Sequence, residues 1–186
     1  MVWVRSEYAG ELAVLSAWLS AFIPWNVTFS SVAGGSVLFV RFPFLQVRYT
    51  YGVPFARGVA VSDPLSAIAF QSGNTVVAAY QAWAAGAGVF ALAFGLSIVY
   101  YLREERVEAL PVDPVRLMGA LLGLSGVVLA VATYLLYTRG FPGVPIPVGV
   151  VFLLLFAGVL LTIDRTDADG AARPIDADVA EDDRSD

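Results

Sequence analysis

The sequence predicts a mainly α membrane protein. The expected fold is a four-transmembrane-helix bundle, with a small extracellular antiparallel β unit and a short helix between spans one and two. Three observations lead there. Hydrophobic residues make up 58% of the 186 residues and charged ones only 15%, whereas an ordinary soluble domain lies nearer 45–50% and about a quarter. Asp, Glu, Lys and Arg are absent from three long stretches, 64–102, 117–138 and 140–163. Between the first two apolar runs, the pattern changes to alternation with period two.

Taken in order, the first span is expected over 6–25. Leu12 to Trp25 is apolar and Pro24 closes it, and a start near Ser6 gives the length of about 20 residues that a bilayer core of about 30 Å requires. That start leaves Glu11 about one turn inside. A cleaved signal peptide fits poorly, because Arg5 stands alone beside Glu7 and Glu11 and no small-residue cleavage site follows. An interfacial helix fits poorly too, since Leu12, Val14, Leu15, Trp18, Leu19 and Phe22 leave no charged face.

The outer segment 26–75 is too long for a passive connection. Asn26 to Ser30 alternates, Ala33-Gly34-Gly35-Ser36 reads as a turn, and Val37 to Phe42 is β-branched and aromatic. Next, Leu45, Val47, Tyr49 and Tyr51 face one way while Gln46, Arg48 and Thr50 face the other. Gly58 to Val61 offers a fourth short strand. The apolar face of this unit is expected to rest on the helix ends, leaving the face with Arg41 and Arg48 as an outer partner surface. Ser62-Asp63-Pro64 starts a short helix over 65–71. Asn26-Val27-Thr28 matches a glycosylation acceptor, but its closeness to the first span makes access poor.

Further spans are expected over 77–102, 116–137 and 146–163, with Pro142, Pro145 and Pro147 setting the outer end of the last. Arg5, Arg103, Arg106, Arg116, Arg165 and Arg173 fall on one side of this topology, which the positive-inside rule makes cytoplasmic. Both termini are thus expected in the cytoplasm of a multi-pass cell-membrane protein. Trp25, Tyr80, Trp83, Tyr100, Tyr101 and Tyr137 lie near the expected boundaries, where interfacial aromatics belong. Residues 164–186 carry nine acids and three Arg without apolar periodicity, the composition of a disordered acidic tail.

Chemistry is sparse. The chain has no Cys and no His, which removes disulfides, thiolate nucleophiles, Ser-His-Asp chemistry and His or Cys metal sites. No catalytic, cofactor-binding or metal-binding residue is expected, and the net charge of −5 argues against a nucleic-acid partner. Glu11 and Arg116 both lie near the cytoplasmic boundary and are expected to form a structural ion pair, which would offset the cost of inserting Glu11. Small residues one turn apart, at Ala87, Ala91 and Gly95 and at Gly119 and Gly123, mark expected helix-packing faces. Ser16, Ser20, Ser97 and Ser125 lack a basic partner and are expected to bond between helices. The function these features suggest is non-enzymatic: scaffolding, assembly or cell-envelope contact. The alternative is a small-molecule or ion conduit, or an accessory subunit of a membrane transport complex. Expected partners are the lipid bilayer and another membrane protein or a second copy of the chain.

Two resemblances add to this. The segments Met1-Val2-Trp3-Val4-Arg5-Ser6-Glu7-Tyr8-Ala9-Gly10 and Phe141-Pro142-Gly143-Val144-Pro145-Ile146-Pro147, with the Lys-free acidic tail, resemble uncharacterised small multi-pass membrane proteins of haloarchaea. That resemblance supplies no functional residues. The layout also resembles claudin-type four-helix proteins in topology: inner termini, a β-rich first outer loop and a short outer helix before span two. Claudins carry paired Cys in that loop and this chain has none, so claudin pore and adhesion roles are not implied.

Overall fold

The computed structural model describes residues 2–32, 34–52, 58–103 and 112–166. Its described elements are β1 (Val2–Arg5), α1 (Ser6–Phe22), β2 (Asn26–Val32), β3 (Gly35–Arg41), β4 (Gln46–Tyr51), β5 (Val59–Ser62), α2 (Pro64–Phe70), α3 (Val77–Leu102), α4 (Pro114–Thr138), β6 (Val144–Ile146), α5 (Val148–Thr162) and β7 (Ile163–Thr166).

Local chemistry sets the helix starts. Asp63 accepts hydrogen bonds from the backbone N–H groups of Leu65 and Ser66 at 2.9 and 3.0 Å, and Pro64 occupies the first turn of α2. Asp113 does the same for Val115 at 2.9 Å, with Pro114 behind it. Both are N-caps that satisfy donors the helix itself cannot.

The four-span bundle is not what forms. Among the described residues there are five helices and a five-stranded antiparallel sheet in the order β5-β4-β3-β2-β6, with β1 and β7 pairing separately in parallel. Among the described residues only α3 and α4 are long and apolar enough to cross a membrane. At 1.5 Å per residue, α1 and α5 measure about 25 and 22 Å, short of the bilayer core of about 30 Å. The reason is that hydropathy does not separate strand from helix. The outer end of the expected span 146–163 belongs to β6 and its inner end to β7, while the expected span 6–25 stops at Phe22 before β2 begins. The claudin-like layout is withdrawn with the bundle it described.

The sheet holds a second departure. Strands lie close to the expected positions in 26–62, but a fifth strand comes from Val144–Ile146, 112 positions beyond the end of β2, its pairing partner. Pro145 is tolerated because β6 is an edge strand. At the other end of the molecule, β1 runs beside β7 with Val2 opposite Ile163. Residues 164–166, expected to open a disordered tail, are therefore paired strand; residues 167–186 lie outside the described residues, as does the inner segment 104–111.

Helix packing follows small residues, though not all of those expected. Ala87 is buried on the α3 stripe, whereas Ala91 is exposed and a Cβ added at Gly95 would meet nothing within 4 Å. Gly119 and Gly123 both lie against α5, where added Cβ atoms would meet the Leu160 Cβ at 2.9 Å and the Ala157 Cβ at 3.2 Å. Two of the expected serines bond between helices: Ser125 donates to the Gly86 carbonyl at 3.0 Å, and Ser97 accepts from the Trp18 indole at 3.2 Å. Ser20 instead donates to the Ser16 carbonyl within α1. Gly119→Ala is expected to cost about 1–2 kcal/mol, because the α4–α5 approach must widen, while Gly95→Ala stays within about 0.5 kcal/mol of wild type. Thermal unfolding of the two variants in one detergent checks the contrast.

Candidate functional site

The register across the sheet decides what each face carries. Asn26 pairs with Arg41, Arg41 with Gln46 and Gln46 with Ser62; one row on, Thr28 pairs with Phe39, Phe39 with Arg48 and Arg48 with Ala60. Cross-strand partners share a face, so the polar residues of four strands gather on one side. That side faces the helices. Trp83 on α3 donates its indole N–H to the carbonyls of Phe42 and Pro43, and Phe44 packs its ring against Phe90 and Phe94.

The expected orientation of the β unit is thus inverted. Arg41, expected on an open partner surface, is 0% exposed. Its Nε donates to Gln46 Oε1 at 2.9 Å, and its Nη1 donates to Asn26 Oδ1 at 2.8 Å and Thr28 Oγ1 at 2.9 Å. Nη2 lies 3.4 Å from the Tyr80 hydroxyl. The guanidinium also stands over the rings of Phe141 and Phe39, at 4.6 and 5.0 Å from their centroids. Among the described residues no carboxylate touches it. The charge is met by neutral dipoles and ring faces, which is an arrangement suited to a planar, weakly hydrated cation. Burial pushes the guanidinium below its ordinary value and Tyr80 opposes that shift; Arg stays protonated nonetheless. Asn26 is also fully buried here.

Beside this network lies a cavity of about 600 Å³, bounded by β4, β5, α2, the start of α3 and the α4–β6 connection. Tyr80, Phe39, Phe141 and Gln46, which touch Arg41, form its inner wall, and Arg48, Ser62, Ser66 and Gln71 line it further out. Arg48 is half-buried, its Nε is buried without a hydrogen-bond partner, and its guanidinium lies 6.0 Å from the centroid of Phe70. Asp63 is fully exposed at the rim, and its hydrogen bonds to Ser66 hold the carboxyl below its usual range.

Other expected site residues fall elsewhere. Arg116 pairs with Asp113 at 3.8 Å, one turn back on its own helix. Glu11 is exposed beside Val14, Leu15, Trp18, Tyr100 and Tyr101, and among the described residues no ion pair joins it to Arg116. Of the interfacial aromatics, Tyr101 and Tyr137 are exposed, whereas Trp25, Tyr80, Trp83 and Tyr100 are buried. Among the described residues no group of His, Cys, Asp or Glu is arranged to hold a metal.

The residues that sequence reasoning missed are Asn26, Thr28, Gln46, Tyr80 and Phe141. For the first three the alternation carried a signal, since it sets them on one face with Arg41; for Tyr80 and Phe141, 39 and 100 positions along the chain, none was present. The family of unknown function DUF7549 matches residues 2–165, and the chain belongs to that family. No curated protein matches the chain.

Proposed function

We propose that this member of that family is a membrane-embedded, non-enzymatic assembly protein, with the sheet as its contact module. The observation that carries the reading is the outward face of the sheet. With the polar face turned inward, the residues on the open side form two apolar rows, Ile146-Val27-Val40-Val47-Val61 and Val144-Phe29-Leu38-Tyr49-Val59. Phe29, Tyr49, Val59, Val61, Val144 and Ile146 are all exposed. An apolar face this continuous marks a contact surface on a protein of this size.

Membrane residence is supported by the helices. Less than half of the apolar window of α3 or of α4 is buried, and the open sides show Leu92, Ile98 and Val99 on α3 and Leu124, Val127 and Val131 on α4. A soluble protein's core helix would hide these side chains. The cell membrane is the proposed location. The parallel β1–β7 pair brings both ends of the described chain together, at the end of the helices where Gly10 lies against Tyr100 and Gly119 against Leu160, and this Arg-richer side is the proposed cytoplasmic one. A Lys-free chain with sixteen acids suits a concentrated-salt setting, in line with the haloarchaeal resemblance.

A scaffold is favoured over a conduit because Trp83, Phe90, Met118, Leu122 and Leu129 are fully buried and fill the space between the helices. The test is capture from native membranes with the full chain in detergent, wild type beside Tyr49→Asp/Val61→Asp. A reproducible membrane-protein partner or a second copy is expected with wild type and lost from the variant. Partner-free, monodisperse isolation overturns the contact role, recovery in the aqueous fraction overturns membrane residence, and specific flux in liposomes overturns the scaffold reading.

A further inference from the structure

We infer that the cavity between the inner face of the sheet and α2 is a binding site for an oxyanion, the carboxylate or phosphate of a small organic molecule, with Arg48 as its receiving cation. This goes beyond the proposed contact role and does not depend on it, since the contact surface is the opposite face of the sheet.

The two arginines of the inner face differ in how their donors are met. Arg41 has its donors taken up by Gln46, Asn26, Thr28 and Tyr80. Arg48, two residues further on in pairing register, has a buried Nε with no hydrogen-bond partner. A buried charged donor left unmet carries a desolvation penalty larger than that of a neutral one. An oxyanion in the adjoining space removes it through charge-assisted hydrogen bonds, for which the guanidinium fork is shaped.

The remaining polar groups point to the same chemistry. Ser62 accepts from the Gln46 amide at 3.5 Å, which leaves its own hydroxyl proton to donate. Gln71 accepts from the Asn74 amide at 3.0 Å through Oε1, which leaves its Nε2 protons for the cavity. Among the described residues no carboxylate lines the space; Asp63, next to it in sequence, spends its oxygens on Leu65 and Ser66. Arg41, behind Tyr80 and Phe39, adds a second positive charge in a region of low dielectric. Phe70 and Phe141 supply apolar wall for the body of the ligand, and about 600 Å³ is within the range of small-molecule sites.

The test is titration calorimetry of the full chain in detergent at fixed ionic strength, with chloride as the control anion. The probes are benzoate and inorganic phosphate for a free anion and dihexanoyl phosphatidic acid for a lipid headgroup. Saturable binding of at least one probe is expected, about tenfold or more weaker in Arg48→Gln, with the melting temperature of the ligand-free variant no lower than that of wild type. Binding of benzoate or phosphate without the lipid makes the ligand a free anion, and binding of the lipid alone makes it a headgroup. Ala60→Phe, which fills the cavity beside Arg48, is expected to abolish binding and serves if Arg48→Gln fails to fold. No saturable binding of any probe, or wild-type affinity in the folded variant, overturns the site.

Discussion

Arg41→Ala is expected to lower the stability of the protein by about 3 kcal/mol. Opposing effects meet at this position. Removing the guanidinium abolishes the desolvation of a charge fully enclosed by the sheet and α3, and this alone would stabilise. Against it, Asn26 Oδ1, Thr28 Oγ1 and Gln46 Oε1 lose their donor, and each buried acceptor left short costs roughly 1–3 kcal/mol. Thr28 still donates to Asn26 at 2.9 Å, and Tyr80 still lies 3.5 Å from Gln46, so the loss is less than the full sum. The rings of Phe39, Tyr80 and Phe141 also lose their packing partner. The acceptors outweigh the relieved charge, and for a chain of this length the midpoint of thermal unfolding falls by roughly 6–12 °C. Arg41→Lys keeps the charge but loses the fork and is expected to fall between Ala and wild type. Melting in a single detergent measures all three; an Ala variant that unfolds with wild type would mean that the network contributes nothing.

Gly143→Ala is expected to have the next largest effect, about 3 kcal/mol, from two causes that a second glycine separates. Gly143 has φ +94°, where a Cβ costs about 1–2 kcal/mol. Its Cβ would also collide with the carbonyl of Phe29 on β2, so β6 must move off the strand it pairs with. Gly140, with φ +78°, has open space around it. Gly140→Ala therefore shows the backbone cost by itself, and the excess in Gly143→Ala reads the closeness of β6 to β2. Equal melting points for the two would remove the steric part of the argument.

Both positions show where the sequence is readable. Alternation over 26–30 and 46–51 placed Asn26 and Thr28 on one face of β2, and Gln46 and Arg48 on one face of β4, because strand side chains alternate regardless of what surrounds them. It did not say which face is covered. The usual assumption, that the apolar face turns inward, failed because α3 presents Tyr80 and Trp83 to the sheet. The Tyr80 hydroxyl accepts from the buried Arg41, and the Trp83 indole donates to the Phe42 and Pro43 carbonyls. The small-residue pattern was similarly partial: Gly119 and Gly123 mark the α4–α5 approach, while a Cβ added at Gly95, at the same spacing, would meet nothing within 4 Å. Spacing fixes the helical face a residue lies on and leaves open whether a neighbour comes to it.

By itself, the chain determined its apolar character, the limits of α3, the capped start of α2, the alternating strands of the outer segment and the absence of His or Cys chemistry. These rest on composition and on interactions within a few residues. Only the tertiary structure decided that the ends of the last apolar run become strands, that β6 pairs with β2, which ends 112 positions earlier, that Arg41 is enclosed, and that Arg48 borders a cavity. Each of these depends on which distant segments meet, and one-dimensional periodicity holds no record of that.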